Sequence, residues 1–381
     1  GLEDLVRRQS ETGRLRFTTD ANDALRNCTV VWVTVDTPVD AQDEADIESV
    51  FTAIEVWLPL LEPGTMILLS SQLPIGSAKR LEKRIQENFG ERGLRVACSP
   101  ENLRLGQALE RFRNPDRLVV GCRTESDRNR LLELLMPWRE QIEWMGVESA
   151  EMTKHAINSF LAASICFINE IAVLSERYGA DAAEVARGLK TDSRIGPRAY
   201  LSPGAAFAGG TLARDVSYLT QLAGDAGLPI RLIPAIRASN QEHAAWAIRR
   251  LRLLWGESLA RRRIAVWGLT YKPGTNTLRR SSSVEMCRHL CAAGAEVQAY
   301  DPSISTRSEE FPDGLILTDS AEAALKGAEA LIVATPWPLF REKAAAVRDH
   351  FTGGTVLDAA RFLERPLADQ PGIRYISVGK L

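Results

Sequence analysis

The stretch Ser149–Glu170 reads SAEMTKHAINSFLAASICFINE and predicts a helix whose second half, residues 156–168, is apolar on almost every side. Such a helix is expected to be buried in the protein rather than laid on its surface. Lys154 and Asn158 lie four residues apart within it and therefore share one face. A buried amide without a partner costs about 1–3 kcal/mol, and a buried charge costs more. Two interpretations fit: both side chains make structural hydrogen bonds, or they line a buried catalytic pocket.

Strands and helices alternate on both sides of this helix. Before it, β-branched runs such as Cys28–Val35 and Thr65–Leu69 predict strands buried on both faces, as in a parallel sheet. Residues 149–256 contain almost no strand signal, and a second strand–helix series starts at Arg263. We therefore predict an α/β protein with two Rossmann-like, doubly wound domains joined by a central all-helical domain. The predicted domains cover residues 1–147, 148–257 and 258–381.

Bulk composition excludes several classes of function. The 381 residues suit two or three domains, and a net charge of −2 gives no general attraction to nucleic acid or membrane. None of the six cysteines forms a CxxC pair, which predicts reduced thiols and a cytoplasmic protein. The four histidines have no ligand spacing, so we expect no metal site. We also expect no membrane partner, because no apolar run looks long enough to cross a bilayer.

The usual dinucleotide signature is missing from the sequence. No GxGxxG occurs, and the first α/β domain begins without the strand, glycine turn and helix that would cradle a pyrophosphate. In the second α/β domain, Gly268 is the one glycine where that signature has three. Asp301 closes the next strand there, as a ribose-binding acid would.

Short motifs in a fixed order along the whole chain carry a resemblance. They include Val35-Asp-Thr-Pro38, Ser71-Gln-Leu-Pro-Ile-Gly76, Ser99-Pro-Glu-Asn-Leu-Arg104, Asn114-Pro-Asp-Arg117, Phe167-Ile-Asn-Glu170, Asp192-Ser-Arg-Ile-Gly196 and Gly268-Leu-Thr-Tyr-Lys-Pro273. Together with Lys154 and Asn158, they resemble the UDP-glucose/GDP-mannose dehydrogenases. These enzymes oxidise the C6 alcohol of a nucleotide sugar to a carboxylate with two NAD.

The resemblance implies roles for five catalytic positions. Lys154 and Asp215 would hold a water or act together as the base of the first oxidation. Asn158 would orient the sugar and stabilise developing negative charge, and Glu101 would serve hydrolysis of an acyl intermediate. The fifth position, where the family has its catalytic cysteine, is Thr211.

The resemblance also implies ligand contacts and a partner. Implied substrate contacts are Asn102, Leu103, Arg104, Phe207, Gly209 and Lys272. Implied contacts to NAD are Thr37, Pro38, Gln72 and Arg279. The second α/β domain would hold the nucleotide of a UDP- or GDP-sugar rather than NAD, which overturns the simple interpretation of Asp301. The central helices would form a homodimer interface.

The chain departs from the family at its nucleophile. The family segment GFGGSCFPKD corresponds without gaps to residues 206–215, which places Thr211 at the cysteine. Aligning the paired glycines instead leaves Leu212 or a gap there, and neither alignment supplies a thiol. A threonine hydroxyl needs strong activation by a base, whereas a useful fraction of a thiol ionises near pH 7. We therefore expect the second oxidation to fail or to be very slow.

The second departure lies at the front of the chain. The resemblance implies a strand–helix–strand–helix block before Gly1 that holds the dinucleotide glycines. Its absence fits either a truncated chain or a protein that no longer binds NAD in the usual way.

Three functions follow from these observations. The first is a nucleotide-sugar 6-dehydrogenase-like oxidoreductase that uses NAD and has lost the four-electron step. The second is an NAD-independent, nucleotide-sugar-binding pseudoenzyme or regulatory subunit. The third is non-oxidative base chemistry on a nucleotide sugar by Lys154 and Asp215.

Overall fold

The computed structural model describes residues 1–38, 45–103, 106–208, 210–351 and 354–380. The chain forms two compact units, Gly1–Ile157 and Asn158–Leu381. Each unit contains a β-sheet covered by helices. The 32-residue helix α7 (Val147–Tyr178) starts in the first unit and ends in the second.

The first unit has a five-stranded sheet in the order β1-β2-β3-β4-β5. Its strands are β1 (Val30–Val33), β2 (Met66–Leu69), β3 (Arg95–Cys98), β4 (Leu118–Gly121) and β5 (Ile142–Met145). Its helices before α7 are α1 (Leu2–Glu11), α2 (Ala21–Leu25), α3 (Ile47–Glu55), α4 (Ser77–Phe89), α5 (Ala108–Arg113) and α6 (Glu125–Leu134). Neighbouring strands run parallel, except that β3 and β4 meet antiparallel. All four residues of β2 are buried, in agreement with its unbroken apolar sequence.

The second unit has a six-stranded, all-parallel sheet in the order β8-β7-β6-β9-β10-β11. Its strands are β6 (Arg263–Trp267), β7 (Glu296–Tyr300), β8 (Leu315–Leu317), β9 (Ala330–Val333), β10 (Thr355–Asp358) and β11 (Arg374–Ile376). Its helices after α7 are α8 (Ala182–Thr191), α9 (Thr211–Asp225), α10 (Leu232–Ala244), α11 (Trp246–Trp255), α12 (Ser282–Ala292), α13 (Ala321–Leu325), α14 (Leu339–Glu342), α15 (Ala344–His350) and α16 (Glu364–Leu367). This is the doubly wound order, with the switch between β6 and β9.

The predicted fold class is confirmed: an α/β protein with two sheets and a central helical region. The predicted domain bounds stay a prediction. Within the helical region, α10 and α11 are separated at Ala245.

Helix α7 is only partly buried, which corrects the expectation from its sequence. Ala162 and Ile168 are fully buried, but Phe160 is 71 % exposed and Phe167 is 48 % exposed. A helix in a single layer of packed helices buries one side and leaves the other accessible. By length and composition α7 could also cross a bilayer, so the expectation of no such run was wrong. Buried core helices meet the same criterion, and 39 % of its most apolar window is buried.

Candidate active site

Lys154 lines a pocket in the first unit. Its side chain is 9 % exposed, and its Nζ donates to the carbonyl oxygen of Glu101 at 2.6 Å. The same Nζ lies 3.6 Å from Oε1 of Glu101, whose Oε2 accepts the backbone N–H of Leu103 at 2.7 Å. The structure therefore brings together two predicted catalytic residues, Lys154 and Glu101. The pocket is lined by Leu69, Ser71, Gln72, Leu73, Cys98, Pro100, Glu101, Glu151 and Lys154.

Two side chains of α7 that the sequence analysis missed hold the loop carrying Gln72. Glu151 accepts the backbone N–H groups of Gly76 at 2.7 Å and Ala78 at 2.9 Å. Helix α4 has no side-chain cap of its own, so this buried carboxylate caps it from α7. Burial raises the pKa of Glu151, although the two N–H groups act in the opposite direction. The Nε2 of His155 lies 3.1 Å from the carbonyl oxygen of Leu73.

The signal for these residues was their spacing. Glu151, Lys154, His155 and Asn158 follow one another at steps of three, one and three, so they lie on one side of the helix. All four are buried. Polar residues repeated on one side of an otherwise apolar helix indicate a polar partner there.

Asn158 and Asp215 meet in the second unit. Asn158 on α7 donates its Nδ2 to Oδ2 of Asp215 on α9 in a short hydrogen bond. Asp215 is fully buried, and Asn158 is 9 % exposed. Lys154 and Glu101 are thus joined in the first unit and Asn158 and Asp215 in the second, and α7 supplies one member of each pair, Lys154 and Asn158, one turn apart.

Thr211 is the first residue of α9, one turn before Asp215 on the same helix face. Its side chain is exposed. Gly210 precedes it with φ 120°, a backbone conformation that favours glycine. Phe207 is half-buried, and its backbone N–H donates to Oδ1 of Asn240 at 2.9 Å.

The predicted cofactor residues lie at different places. Thr37 follows β1 and is 3 % exposed; its Oγ1 has no hydrogen-bond partner among the described residues. Pro38 is exposed, and Gln72 lines the pocket with Lys154. Arg279 is exposed and belongs to the second unit. The buried, unpaired hydroxyl at a strand's carboxyl end suits a polar ligand group, so Thr37 and Gln72 fit a nucleotide cofactor.

Asp301, which follows β7, makes only internal bonds of the kind that stabilise a fold within the part of the chain that the structure describes. Its Oδ2 accepts the backbone N–H groups of Leu269 at 2.7 Å and Thr270 at 3.0 Å, and the Trp337 Nε1–H at 3.1 Å. Its Oδ1 accepts the N–H and O–H of Ser303. The carboxylate is 1 % exposed and has no free face for a ribose. The simple interpretation of Asp301 as a ribose ligand is therefore wrong.

The remaining predicted substrate residues are less informative. Asn102 and Leu103 are exposed, and Lys272 is half-buried after β6. Arg104 and Gly209 lie outside the described residues. Among the described residues no group of three or more His, Cys, Asp or Glu side chains could hold a metal ion.

A doubly wound parallel sheet, a second sheet with consecutive strand order, a central helical region and paired Lys–Glu and Asn–Asp side chains are typical of a nucleotide-binding class of α/β protein. Family profiles give the particular assignment. Residues 1–139, 148–242 and 265–365 match the NAD binding, central and UDP binding domains of the UDP-glucose/GDP-mannose dehydrogenase family. The chain belongs to this family.

Individual relatives agree. The UDP-glucose 6-dehydrogenase YwqF of Bacillus subtilis is 31 % identical over 384 residues, covering 100 % of this chain and 87 % of the relative. TuaD of the same organism, also a UDP-glucose 6-dehydrogenase, is 32 % identical, covering 100 % of this chain and 83 % of the relative. A UDP-glucose dehydrogenase structure from Pyrobaculum islandicum is 30 % identical, with a TM-score of 0.80, covering 90 % of this chain and 80 % of that one.

Proposed function

We propose that this protein is a nucleotide-sugar 6-dehydrogenase-type oxidoreductase that acts on a UDP- or GDP-sugar and stops at the aldehyde. The observation that carries the proposal is the buried Asn158–Asp215 hydrogen bond, one helical turn from Lys154 on α7. A buried carboxylate held by an amide is an arrangement that retains a charged group for chemistry.

Each group has a task in the first oxidation. The C6 alcohol loses its hydroxyl proton to the base formed by Lys154 and Asp215, directly or through a water. Asn158 orients the sugar and stabilises the negative charge that develops on the C6 oxygen. NAD, when bound, would supply the acceptor for the hydride from C6, which would give an aldehyde, NADH and a proton. Thr37 and Gln72 hold the cofactor in the first unit.

The second oxidation needs a nucleophile, which Thr211 supplies poorly. Its hydroxyl lies at the first residue of α9, at the position of the family's thiol. No base is assigned to activate it, whereas a thiol at a helix N-terminus ionises readily. Two cysteines elsewhere in the chain are poor substitutes for a nucleophilic thiol at this position. Burial raises the pKa of the Cys98 thiol in the pocket and that of Cys166 on α7, so both remain protonated near pH 7.

Further substrate contacts follow from the resemblance. Asn102, Leu103 and Arg104 contact the sugar, and the backbone N–H of Leu103 donates to Oε2 of Glu101 at 2.7 Å. Phe207 and Gly209 contact the sugar ahead of α9, and Lys272 contacts the nucleotide sugar from the second sheet. Arg279 reaches the cofactor. Glu101 occupies the position that the resemblance assigns to hydrolysis of an acyl intermediate. Since the proposed reaction stops at the aldehyde, no acyl intermediate forms for it to hydrolyse.

A homodimer through α7 is part of the proposal. The exposed side of this helix carries large apolar residues at seven-residue steps: Phe160, Phe167 and Leu174. Tyr178 ends the same side at 82 % exposure. A stripe repeated every seven residues suits a second helix of the same kind. Sedimentation of wild type against Phe160→Glu tests it: a dimer that becomes a monomer supports the interface, and an unchanged mass refutes it.

The second candidate is a nucleotide-sugar-binding protein that does not use NAD. The resemblance favours it, because its gapless alignment places Thr211 where the family has a cysteine. Non-oxidative chemistry by the Lys154/Asp215 base is a third candidate, since it needs neither a thiol nor NAD.

We place the protein in the cytoplasm on the basis of its six cysteines without a CxxC pair.

Calorimetry followed by an NADH assay separates these functions. The full chain is titrated with UDP-glucose, GDP-mannose and NAD, and absorbance at the nicotinamide band is then followed with both ligands present. The proposal predicts binding of one sugar nucleotide and NADH release. Sugar-nucleotide binding without NAD binding would refute the dehydrogenase and favour the binding protein. Conversion of the sugar without NADH would favour non-oxidative chemistry.

A further inference from the structure

The loop of residues 201–208, here named the approach loop, leads to Gly210 and α9 and has almost no backbone pairing of its own. It contains neither helix nor strand. The Leu201 N–H donates to Ala199, and residues 202–208 make no backbone–backbone hydrogen bond with any other described residue. Since backbone polar groups need partners, the conformation of this loop depends on side chains from elsewhere.

Asn240 on α10 pairs with both backbone groups of Phe207. Its Oδ1 accepts the Phe207 N–H at 2.9 Å, and its Nδ2 donates to the Phe207 carbonyl oxygen at 2.8 Å. This two-bond arrangement copies the pairing that a neighbouring strand would offer. It fixes both the position and the rotation of one peptide segment.

Gly204 is fixed in the same way by two other side chains. Asn169 on α7 accepts the Gly204 N–H at 3.0 Å through Oδ1. The Nε2 of His243 on α10 lies 2.7 Å from the Gly204 carbonyl oxygen and must donate to it, because a carbonyl only accepts. Asn169 is 2 % exposed and His243 is 7 % exposed. Helix side chains therefore hold the loop at two points three residues apart, and the two at Gly204 are buried.

The approach loop lies close to the start of α9 along the chain. Phe207 is three residues before Gly210, and Thr211 and Asp215 follow on the first turn and a half of α9. A rigid loop needs no ordering when a ligand binds, which favours binding. The hydrogen bonds of Asn240 are made to the same residue, Phe207, that the proposed function assigns to the sugar.

We propose that Asn240 is a positioning residue for nucleotide-sugar binding. It holds the backbone of Phe207 in the conformation that receives the sugar, without touching the ligand itself. This inference rests on the proposed function, because it takes Phe207 as a sugar contact. Asn169 and His243 provide the second point of attachment, at Gly204.

Four proteins test this role: wild type, Asn240→Ala, Asn240→Asp and Ser239→Ala. Ser239 is the matched control, since it neighbours Asn240 on α10 but its Oγ bonds to Glu170 rather than to the loop. Two quantities are measured on the full chain. One is the Kd of UDP-glucose by calorimetry, and the other is hydrogen exchange of peptides covering residues 201–208, α7 and α10.

The inference predicts that Asn240→Ala raises the Kd about tenfold or more and speeds exchange in residues 201–208, with α7 and α10 unchanged. Asn240→Asp keeps an acceptor for the Phe207 N–H but loses the donor, so both effects should be smaller. Ser239→Ala should match wild type. If Asn240→Ala does not fold, the comparison of Asn240→Asp with Ser239→Ala tests the inference instead.

Three results would overturn the inference. Faster exchange in the loop with an unchanged Kd would show that loop order does not govern binding. A raised Kd with unchanged exchange would show that Asn240 does not act through the loop. Equal effects in Ser239→Ala would show a general change in α10. If wild type binds no UDP-glucose or other sugar nucleotide, the proposed function fails and this inference fails with it.

Discussion

The polar groups near the carboxyl ends of the strands differ between the two sheets in their hydrogen-bond partners. In the first unit, Thr37 follows β1 by four residues and has a buried hydroxyl without a hydrogen-bond partner among the described residues, and Lys154 borders a pocket. In the second unit, Asp301 ends β7 with both carboxylate oxygens occupied by internal donors. The same kind of sheet edge therefore offers groups to a ligand in one unit and uses them for its own stability in the other.

Sequence position alone does not separate these two uses. Thr37 and Asp301 each follow a strand of a parallel sheet, where ligands usually bind. What distinguishes them is whether nearby N–H and O–H groups already occupy the side chain. Substitution of Thr37 should therefore change function, and substitution of Asp301 should change stability.

The largest expected effect is on turnover, from Lys154→Met in the first unit. The variant keeps the length of the side chain and loses the amine, so kcat should fall about 10²–10⁴-fold, the usual contribution of a general base. The midpoint of urea unfolding should move little, because Lys154 bonds one carbonyl oxygen and one half-exposed carboxylate. Steady-state NADH formation and urea titration measure both quantities. A normal kcat in this variant would show that Lys154 is not part of the active site.

Asp301→Asn should cause the largest loss of stability. The amide places a donor where the carboxylate accepts from Leu269, Thr270 and Trp337, or from Ser303, so buried N–H groups lose partners. We expect a loss of about 3 kcal/mol in the free energy of unfolding of the second unit. Urea unfolding followed by tryptophan fluorescence measures it. A variant of wild-type stability would mean that Asp301 is free to bind a ligand after all.

Lower pH should weaken the second unit through His243. Burial lowers the pKa of His243 below its usual range, and Arg249 lowers it further, while Gly204 and Glu176 oppose the shift. The unfolded chain therefore binds the proton first. The contribution of His243 is complete above the unfolded pKa of about 6.5 and is lost as pH falls through the lower folded pKa. Urea midpoints at neutral and mildly acidic pH should fall less in His243→Gln than in wild type, and equal falls would contradict the assignment.

The smallest expected effect is that of Thr37→Val on stability. The substitution removes a buried hydroxyl that has no described partner and keeps the shape of the side chain. The free energy of unfolding should change by less than about 0.5 kcal/mol or rise. NAD binding, measured by calorimetry, should weaken all the same. A clear loss of stability with unchanged NAD binding would show that Thr37 serves the fold, as Asp301 does.

The sequence predicted the fold class well because apolar runs such as Thr65–Leu69 report burial directly. The sequence predicted helix α7 but did not predict that the side with Phe160 is exposed. Buried core residues and exposed apolar residues have the same composition, so the sequence does not distinguish them. The resemblance supplied Lys154 and Asp215. It did not supply Glu151, Asn169 or Asn240, because their hydrogen bonds go to backbone atoms of distant loops. Every residue type has the same backbone groups, so the sequence does not show which residue these side chains bond to.

The central claim is that oxidation ends after one hydride transfer because Thr211 replaces a thiol. The most direct test counts NADH released per UDP-glucose consumed by wild type and by Thr211→Cys, with the carbonyl product trapped by hydroxylamine. The account predicts one NADH and a trapped aldehyde for wild type, and two NADH and a carboxylate for the variant. Two NADH per sugar from the wild-type protein would contradict it.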